Sequence, residues 1–421
     1  MRWLLLALAL PGSLALFKSL RNLLLRSPSS SEREAPQPSS RSVPQTTPNP
    51  PDDGRLWEIP PLLLVLLHPE SCEASPLNPQ AVRVRGPFFQ GWLFRTVDHL
   101  LNVSAIVIVG SFSSEGSEQY DEHYICCGVN SPTSGHLHFE VFPPPHTVQI
   151  AGDLPSSYAS LANITWTAEG IGYFHLDGDQ GHLKLAVEDL HIKMKFRRRR
   201  GWAEANDRAG PEGWLAYTPL LPCHYSVHSV GSDCDYSIAC NQLRCRGSGF
   251  THIEGNHGTF FPEGWVWSQA IGNTNDESFS MIGGRFVIGV LSPINWVIYL
   301  RTKSQRYIFR TTDMCSIKYS ISPIDGRVAV TGTSFDGRCK IELTIESSKL
   351  ESYGPPIYIP TSSGFQNNPG CREIYTAVVE AKIFEFKVDS RRWELCHELR
   401  FEQAALEFGG QFQLLPQIEK R

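Results

Sequence analysis

Residues 250–269 hold the densest concentration of reactive side chains in this chain. Glu254, Asn256 and His257 lie almost side by side, with Gly255 and Gly258 between and after them. A carboxyl can give or take a proton, an imidazole titrates near neutrality, and an amide can hold a polar ligand group. Trp265, Trp267 and Gln269 follow at alternate positions. On a strand that spacing puts all three on one face. Two indoles there would offer apolar surface to a ligand and electron-rich faces to a cation. His224, upstream in Pro222-Cys223-His224-Tyr225, is a second imidazole to consider as a base. His136 and His138 share the spacing of one strand face, but no third ligand stands near them, so no metal site is expected.

The elements that must position these groups read as β-strands. Short runs rich in branched and aromatic residues recur at 88–96, 105–109, 137–142 and 182–187, separated by Gly, Pro, Asn and Asp. The same texture returns from about residue 214 to 388, with strict alternation over Lys340-Ile341-Glu342-Leu343-Thr344-Ile345. Residues 393–408 are the exception, since Leu395, Leu399, Ala404 and Leu406 approach helical spacing. Many short strands predict a sandwich or barrel, and some 300 residues of them predict two β-units. Small barrels of this kind can enclose one apolar ligand.

The remaining segments bound the setting. Arg2 precedes an apolar run over 3–17, and Lys18, Arg21 and Arg26 follow it with no acid before Glu32. The run is short for a bilayer span and is interrupted by Pro11 and Gly12. The first reading of 1–26 is a signal peptide or anchor, which implies a membrane-associated, secretory-pathway protein; a plastid or mitochondrial presequence is the second. Residues 27–81 read as a largely disordered linker, rich in Ser, Pro, Gln and Thr over about 27–54, with a brief apolar block at 62–67 that fits a buried or membrane-surface segment. The β-texture divides as 82–212 and 213–390, with a helix and tail at 391–421. Asn102 and Asn163 head glycosylation triplets. Eleven cysteines are present, none in a C-x-x-C pair, so a zinc site is not expected and disulfides depend on secretion. A net charge of -5 argues against nucleic acid as a partner. The basic run Arg197–Arg200, after Lys193 and Lys195, reads either as a solvated loop or as a contact for anionic lipid. No Walker, dinucleotide or Gly-x-Ser-x-Gly fingerprint is present.

Several motifs in order resemble the tocopherol cyclase family. Phe88-Phe89-Gln90-Gly91-Trp92-Leu93-Phe94-Arg95 is similar to its opening motif. Gly213-Trp214-Leu215-Ala216 with Pro222-Cys223-His224-Tyr225, then Glu254-Gly255-Asn256-His257-Gly258 with Phe261-Pro262 and Trp265-Val266-Trp267-Ser268-Gln269, resemble its central signature. Pro360-Thr361 and Gly370-Cys371-Arg372-Glu373 resemble its closing region. The chain departs from the family at Gln90, Leu93 and His257, where the family carries a carboxylate, Tyr and Trp.

The resemblance implies a mostly β protein of two lipocalin-like antiparallel β-barrel halves, and a site for a prenylated quinol or another apolar small molecule. It also implies a reaction: an acid protonates a prenyl alkene and the phenol captures the tertiary cation, closing a chromanol ring without a cofactor. For that chemistry Glu254 is the expected acid. Asn256 would orient it or the phenol, and His257 or His224 would take the phenolic proton. Trp92, Trp265, Trp267 and Gln269 would line the substrate site. Glu254 could equally bond a turn or an arginine, the histidines could be satisfied core residues, and the tryptophans could be core. The alternative to the cyclase is a non-catalytic lipocalin-type isoprenoid or lipid binder, and water addition to an alkene shares the protonation step. A membrane surface is the other expected partner.

Overall fold

The computed structural model describes residues 86–412, apart from 118, 154–162, 203–209, 218–220, 287–292, 348–355 and 366–369. The targeting segment, the linker at 27–81 and the tail from 413 therefore lie outside the described residues. Among the described residues no helix is long and apolar enough to cross a membrane.

Alternation makes the strands. In 180–197 the residues Leu183, Leu185, Val187, Leu190, Ile192, Met194 and Phe196 are buried, while His182, Lys184, His191, Lys193 and Lys195 between them are exposed. One face of such a strand leaves water and the other stays wet. In chain order the strands are β1 (Phe88–Asp98), β2 (Val103–Ser113), β3 (Glu122–Ser131), β4 (Gly135–Val141), β5 (Val148–Asp153), β6 (Asn163–Ala168), β7 (Gly172–Asp177), β8 (Gln180–Val187), β9 (Leu190–Arg197), β10 (Cys223–Ala239) and β11 (Arg244–Gly258). There follow β12 (Gly264–Ile271), β13 (Ser278–Arg285), β14 (Ile294–Arg301), β15 (Arg306–Arg310), β16 (Ser316–Ser322), β17 (Arg327–Thr333), β18 (Cys339–Glu346), β19 (Pro356–Ile357), β20 (Pro360–Thr361), β21 (Gly364–Phe365), β22 (Cys371–Lys387) and β23 (Arg392–Gly410).

They form two curled antiparallel half-barrels. The first sheet has the order β4-β3-β2-β1-β11-β10-β9-β8-β7-β6-β5, and the second runs β15-β14-β13-β12-β23-β22-β18-β17-β16. This is the expected mostly β architecture of two halves, with two differences. The halves divide after Gly258 rather than after residue 212, because β10 and β11 pair with β9 and β1 and complete the first sheet. The expected C-terminal helix is instead the long strand β23. His397, Leu399 and Phe401 follow a period of two, and Gln403 at φ 54° marks a bulge. The bulge moves the core set to Ala404, Leu406 and Phe408. A one-residue insertion of that kind flips the facing of everything beyond it. Across the bulge, apolar positions mimic helical spacing.

Both half-barrels are filled by their own side chains. In the first, Phe94 and Phe196 stack with centroids 5.7 Å apart and Trp166 lies parallel to Phe174. In the second, Phe279, Phe309, Phe401 and Phe408 are buried together. The free apolar space lies between them, on outer faces that the two sheets turn toward each other.

Candidate functional site

The site is built from the pleat of six strands. On β11, Ile253 is fully buried in the first half-barrel, so His252, Glu254 and Asn256 face the opposite way, toward the second sheet. Glu254 pairs with Val227 on β10 and Leu93 on β1; Asn256 pairs with Tyr225 and Gly91. From the second sheet, Val266 and Ala270 point into the core, which turns Trp265, Trp267 and Gln269 outward to meet them. The register continues sideways. Trp265, Gly409 and Cys371 form one row across β12, β23 and β22, and Trp267, Glu407 and Glu373 form the next.

Between these faces is a cavity of about 150 Å³, lined largely by Leu93, Ile108, Phe261, Trp265, Trp267 and Ile359. Its ionisable wall includes Glu254 and Glu407. Glu254 is 3% exposed, and all its hydrogen bonds end on Oε2. The Tyr225 hydroxyl donates to it at 2.8 Å, the Trp267 indole N–H donates at 3.1 Å, and His252 Nε2 lies 2.8 Å away. Tyr225 also lies 3.3 Å from Ser280 Oγ, and burial pushes its phenol well above the usual range. Oε1 of Glu254 makes no hydrogen bond among the described residues and is the oxygen available to a ligand. Asn256 also lines the cavity, with its amide unbonded among the described residues.

Glu407 is set differently. It accepts the Trp265 indole N–H and stands directly opposite Glu373. Burial, with the Glu254 charge adding to it, pushes its carboxyl up to about 7. Burial and the facing Glu407 carboxyl raise Glu373 well above the usual range as well. Two carboxyls held opposite each other away from water cannot both ionise, so one of them keeps its proton when the other gives its own up. Glu373 accepts from the Tyr375 hydroxyl at 3.1 Å. Beside it Arg95, with no exposed surface, donates to Gln269 Oε1 at 2.7 Å and to the Gln403 carbonyl at the β23 bulge.

The structure thus brings together Glu254, Asn256, Trp265 and Trp267. Gln269 is fully buried and serves Arg95 rather than the cavity wall. Trp92 borders the cavity, but its ring packs at 5.2 Å against Phe174 inside the first half-barrel. His257 and His224 do not line the cavity. Each follows a cavity-facing neighbour's opposite pleat, and the two rings stack at 5.2 Å away from it. His224 Nδ1 is 2.9 Å from Glu212; burial disfavours its cation, but the Glu212 charge and hydrogen bond outweigh that and raise its pKa. His138 lies 3.5 Å from Glu140 and His136 stacks on Tyr375. Among the described residues no cluster of three or more metal-ligating side chains occurs, and the ten described cysteines are free.

Four members of the site had no role assigned from sequence. Arg95, Tyr225 and Glu373 all sit inside the quoted motifs, Tyr225 next to His224 and Arg95 three positions from Trp92. Glu407 was hidden by the helical reading of β23.

The sequence profile described as tocopherol cyclase-like matches residues 148–410. The chain belongs to the tocopherol cyclase-like family. The matched span holds Tyr225, Glu254, Trp267, Glu373 and Glu407 together; Arg95 and Leu93 lie before it. No curated protein matches this family member. Among solved structures, CghA with Sch210972 is similar at a TM-score of 0.52 and 8% identity, over 78% of this chain and 89% of CghA. A putative AttH from Nitrosomonas europaea gives 0.45 and 11%, over 77% and 92%. Kievitone hydratase from Nectria haematococca gives 0.43 and 8%, over 77% and 89%. The likeness to CghA is one of fold: two lipocalin-like halves.

Proposed function

We propose that this member of the family is an intramolecular cyclase acting on a prenylated quinol, with Glu407 as proton donor and Glu254 as acceptor. The observation that carries this reading is that, besides Glu212, which is held by His224 and the Tyr225 N–H, two carboxyls line one apolar cavity in unlike settings. Glu407 is a carboxyl whose burial keeps it protonated up to about pH 7. Glu254 is an oxygen acceptor already fixed by three partners on one side, with Oε1 turned to the ligand. This assigns the acid to a residue other than the one the sequence favoured.

The steps balance. Glu407 gives its proton to the less substituted alkene carbon, leaving a tertiary cation beside the Trp265 and Trp267 rings. The phenolic oxygen bonds to that cation and its proton passes to Glu254. Asn256 holds the second oxygen of the ring. The product is an isomer of the substrate, and the site resets when one proton returns from Glu254 to Glu407. A cavity of about 150 Å³ takes roughly one aromatic ring, so the ring sits inside and the tail runs out along the apolar walls.

The test is chromanol formation from a detergent-dispersed phytylated benzoquinol. Glu407→Gln and Glu254→Gln should each lower kcat by about 10²–10⁴. His257→Gln should stay within about twofold, since removing a group that meets no reacting atom costs no transition-state stabilisation. Recovery of unaltered quinol bound to wild-type protein would instead establish the lipocalin-type binder, and a tertiary alcohol would establish water addition.

A further inference from the structure

The outer face of the first half-barrel carries an excess of positive charge that the fold leaves unbalanced. The run Arg197–Arg200 is not its source. Arg197 pairs with Asp235, Arg198 with Asp233, Arg199 is buried against the Gly178 carbonyl, and Arg200 holds Asn275 and lies near Asp276. The excess comes from the strands beside it. Ile192, Met194 and Phe196 are buried, so the pleat sends His191, Lys193 and Lys195 outward from β9. Lys184 stands directly opposite Lys193, and His182 opposite Lys195. Across the sheet, Lys193 pairs with Ser237, and Ser237 with Arg246. Arg246, Lys193 and Lys184 therefore form one row over four strands, with Arg244 and His191 in the row beside it.

All these side chains are exposed, and Lys184, Lys193, Lys195, Arg244 and Arg246 make no ion pair among the described residues. Of the two carboxylates on this face of β10, Asp235 stands opposite Lys195 but is taken by Arg197 and Ser248, and Asp233 is taken by Arg198. Like charges directly opposite on neighbouring strands destabilise a sheet. The imbalance also runs against the chain's net charge of -5. Burial and the neighbouring His175 and Lys195 hold His182 below its usual pKa, consistent with a positive field over the face.

We infer that this face, formed by β8, β9 and β11, docks onto anionic phospholipid headgroups. Cationic side chains spread over the outer face of a sheet complement a negatively charged membrane surface. The choice of lipid over other polyanions rests on the proposed function, because a prenylated quinol is dissolved in bilayers and must be taken from one.

The experiment is flotation of the full-length protein with vesicles of phosphatidylcholine alone, or of phosphatidylcholine mixed with phosphatidylglycerol. The protein should float with the mixed vesicles only, and less as salt rises. Lys184→Gln with Lys193→Gln and Lys195→Gln should weaken binding about fivefold per lysine, roughly a hundredfold together. Lys303→Gln with Lys318→Gln and Lys387→Gln removes equal charge from the second half and should leave binding as it was. Thermal unfolding of both triple variants verifies that they fold. Equal flotation with neutral vesicles, equal loss in the two variants, or undiminished binding by the first would overturn the inference. So would capture of the wild type by RNA without flotation, which would make the face a site for soluble polyanions. Flotation needs no turnover and the detergent assay needs no vesicle, so failure of either result leaves the other readable.

Discussion

At the scale of single residues, the pleat decides which candidates act. Glu254 and His257 are neighbours in sequence, yet only Glu254 reaches the cavity, because three positions along a strand is an odd step. The reactive cluster was legible as a cluster, but its division between two faces required the register. Glu407 was not legible at all, since its importance comes from standing opposite Glu373 and beneath Trp265 on strands far away in sequence. Its placement has a thermodynamic signature. Folded, its carboxyl is pushed up to about 7, chiefly by burial; unfolded, it titrates near the usual 4.5. Between those values the unfolded chain sheds its proton first, so the stability Glu407 lends below about pH 4.5 is lost as pH rises through about 7. Gln cannot titrate. Glu407→Gln should therefore compare better with wild type at about pH 8 than at about pH 5. The measurement is the difference in melting temperature at the two pH values. A difference that does not change with pH would show that burial does not hold Glu407 protonated.

At the scale of elements, alternation made most of the fold readable, as in β8 and β9, where every second side chain is apolar. It failed where a bulge breaks the count, and β23 was mistaken for a helix for that reason. The division between halves was misplaced on similar grounds: β10 and β11 look like any other strands, and only their pairing with β1 and β9 assigns them to the first sheet. β23 also carries a requirement that no strand pattern announces. Trp265 lies flat on Gly409, its partner across the sheet, and a Cβ at 409 would sit 2.0 Å from the indole. Gly409→Ala must push the ring aside and strain its bond to Glu407. We expect a loss of about 1–3 kcal/mol in urea unfolding, together with reduced turnover. Unfolding identical to wild type would mean that the indole relocates without cost and is not held as described.

At the scale of the whole molecule, the site exists because two packed half-barrels face each other, and Arg95 fastens one to the other. It projects from β1 of the first half and bonds Gln269 and the bulged Gln403 carbonyl of the second. It has no exposed surface, and burial lowers its guanidinium to about 10, against the opposing pull of Glu373 and Tyr375. It therefore remains a cation at neutral pH, and its field acts to lower the Glu373 carboxyl that faces Glu407. Arg95→Met keeps much of the side-chain volume while removing the charge and both hydrogen bonds. Breaking a buried ionic arrangement by deleting one partner costs about 3–5 kcal/mol, and here the uncompensated partners are the Gln403 carbonyl and the carboxyl pair. Two effects should appear together. Denaturant unfolding should shift by about that amount, and the alkaline limb of the pH–rate profile should move upward, because the pair holds its proton more tightly once the positive charge is gone. A loss of stability with an unmoved alkaline limb would reduce Arg95 to a clamp between the halves. Movement of both ties the joint that closes the cavity to the proton supply within it.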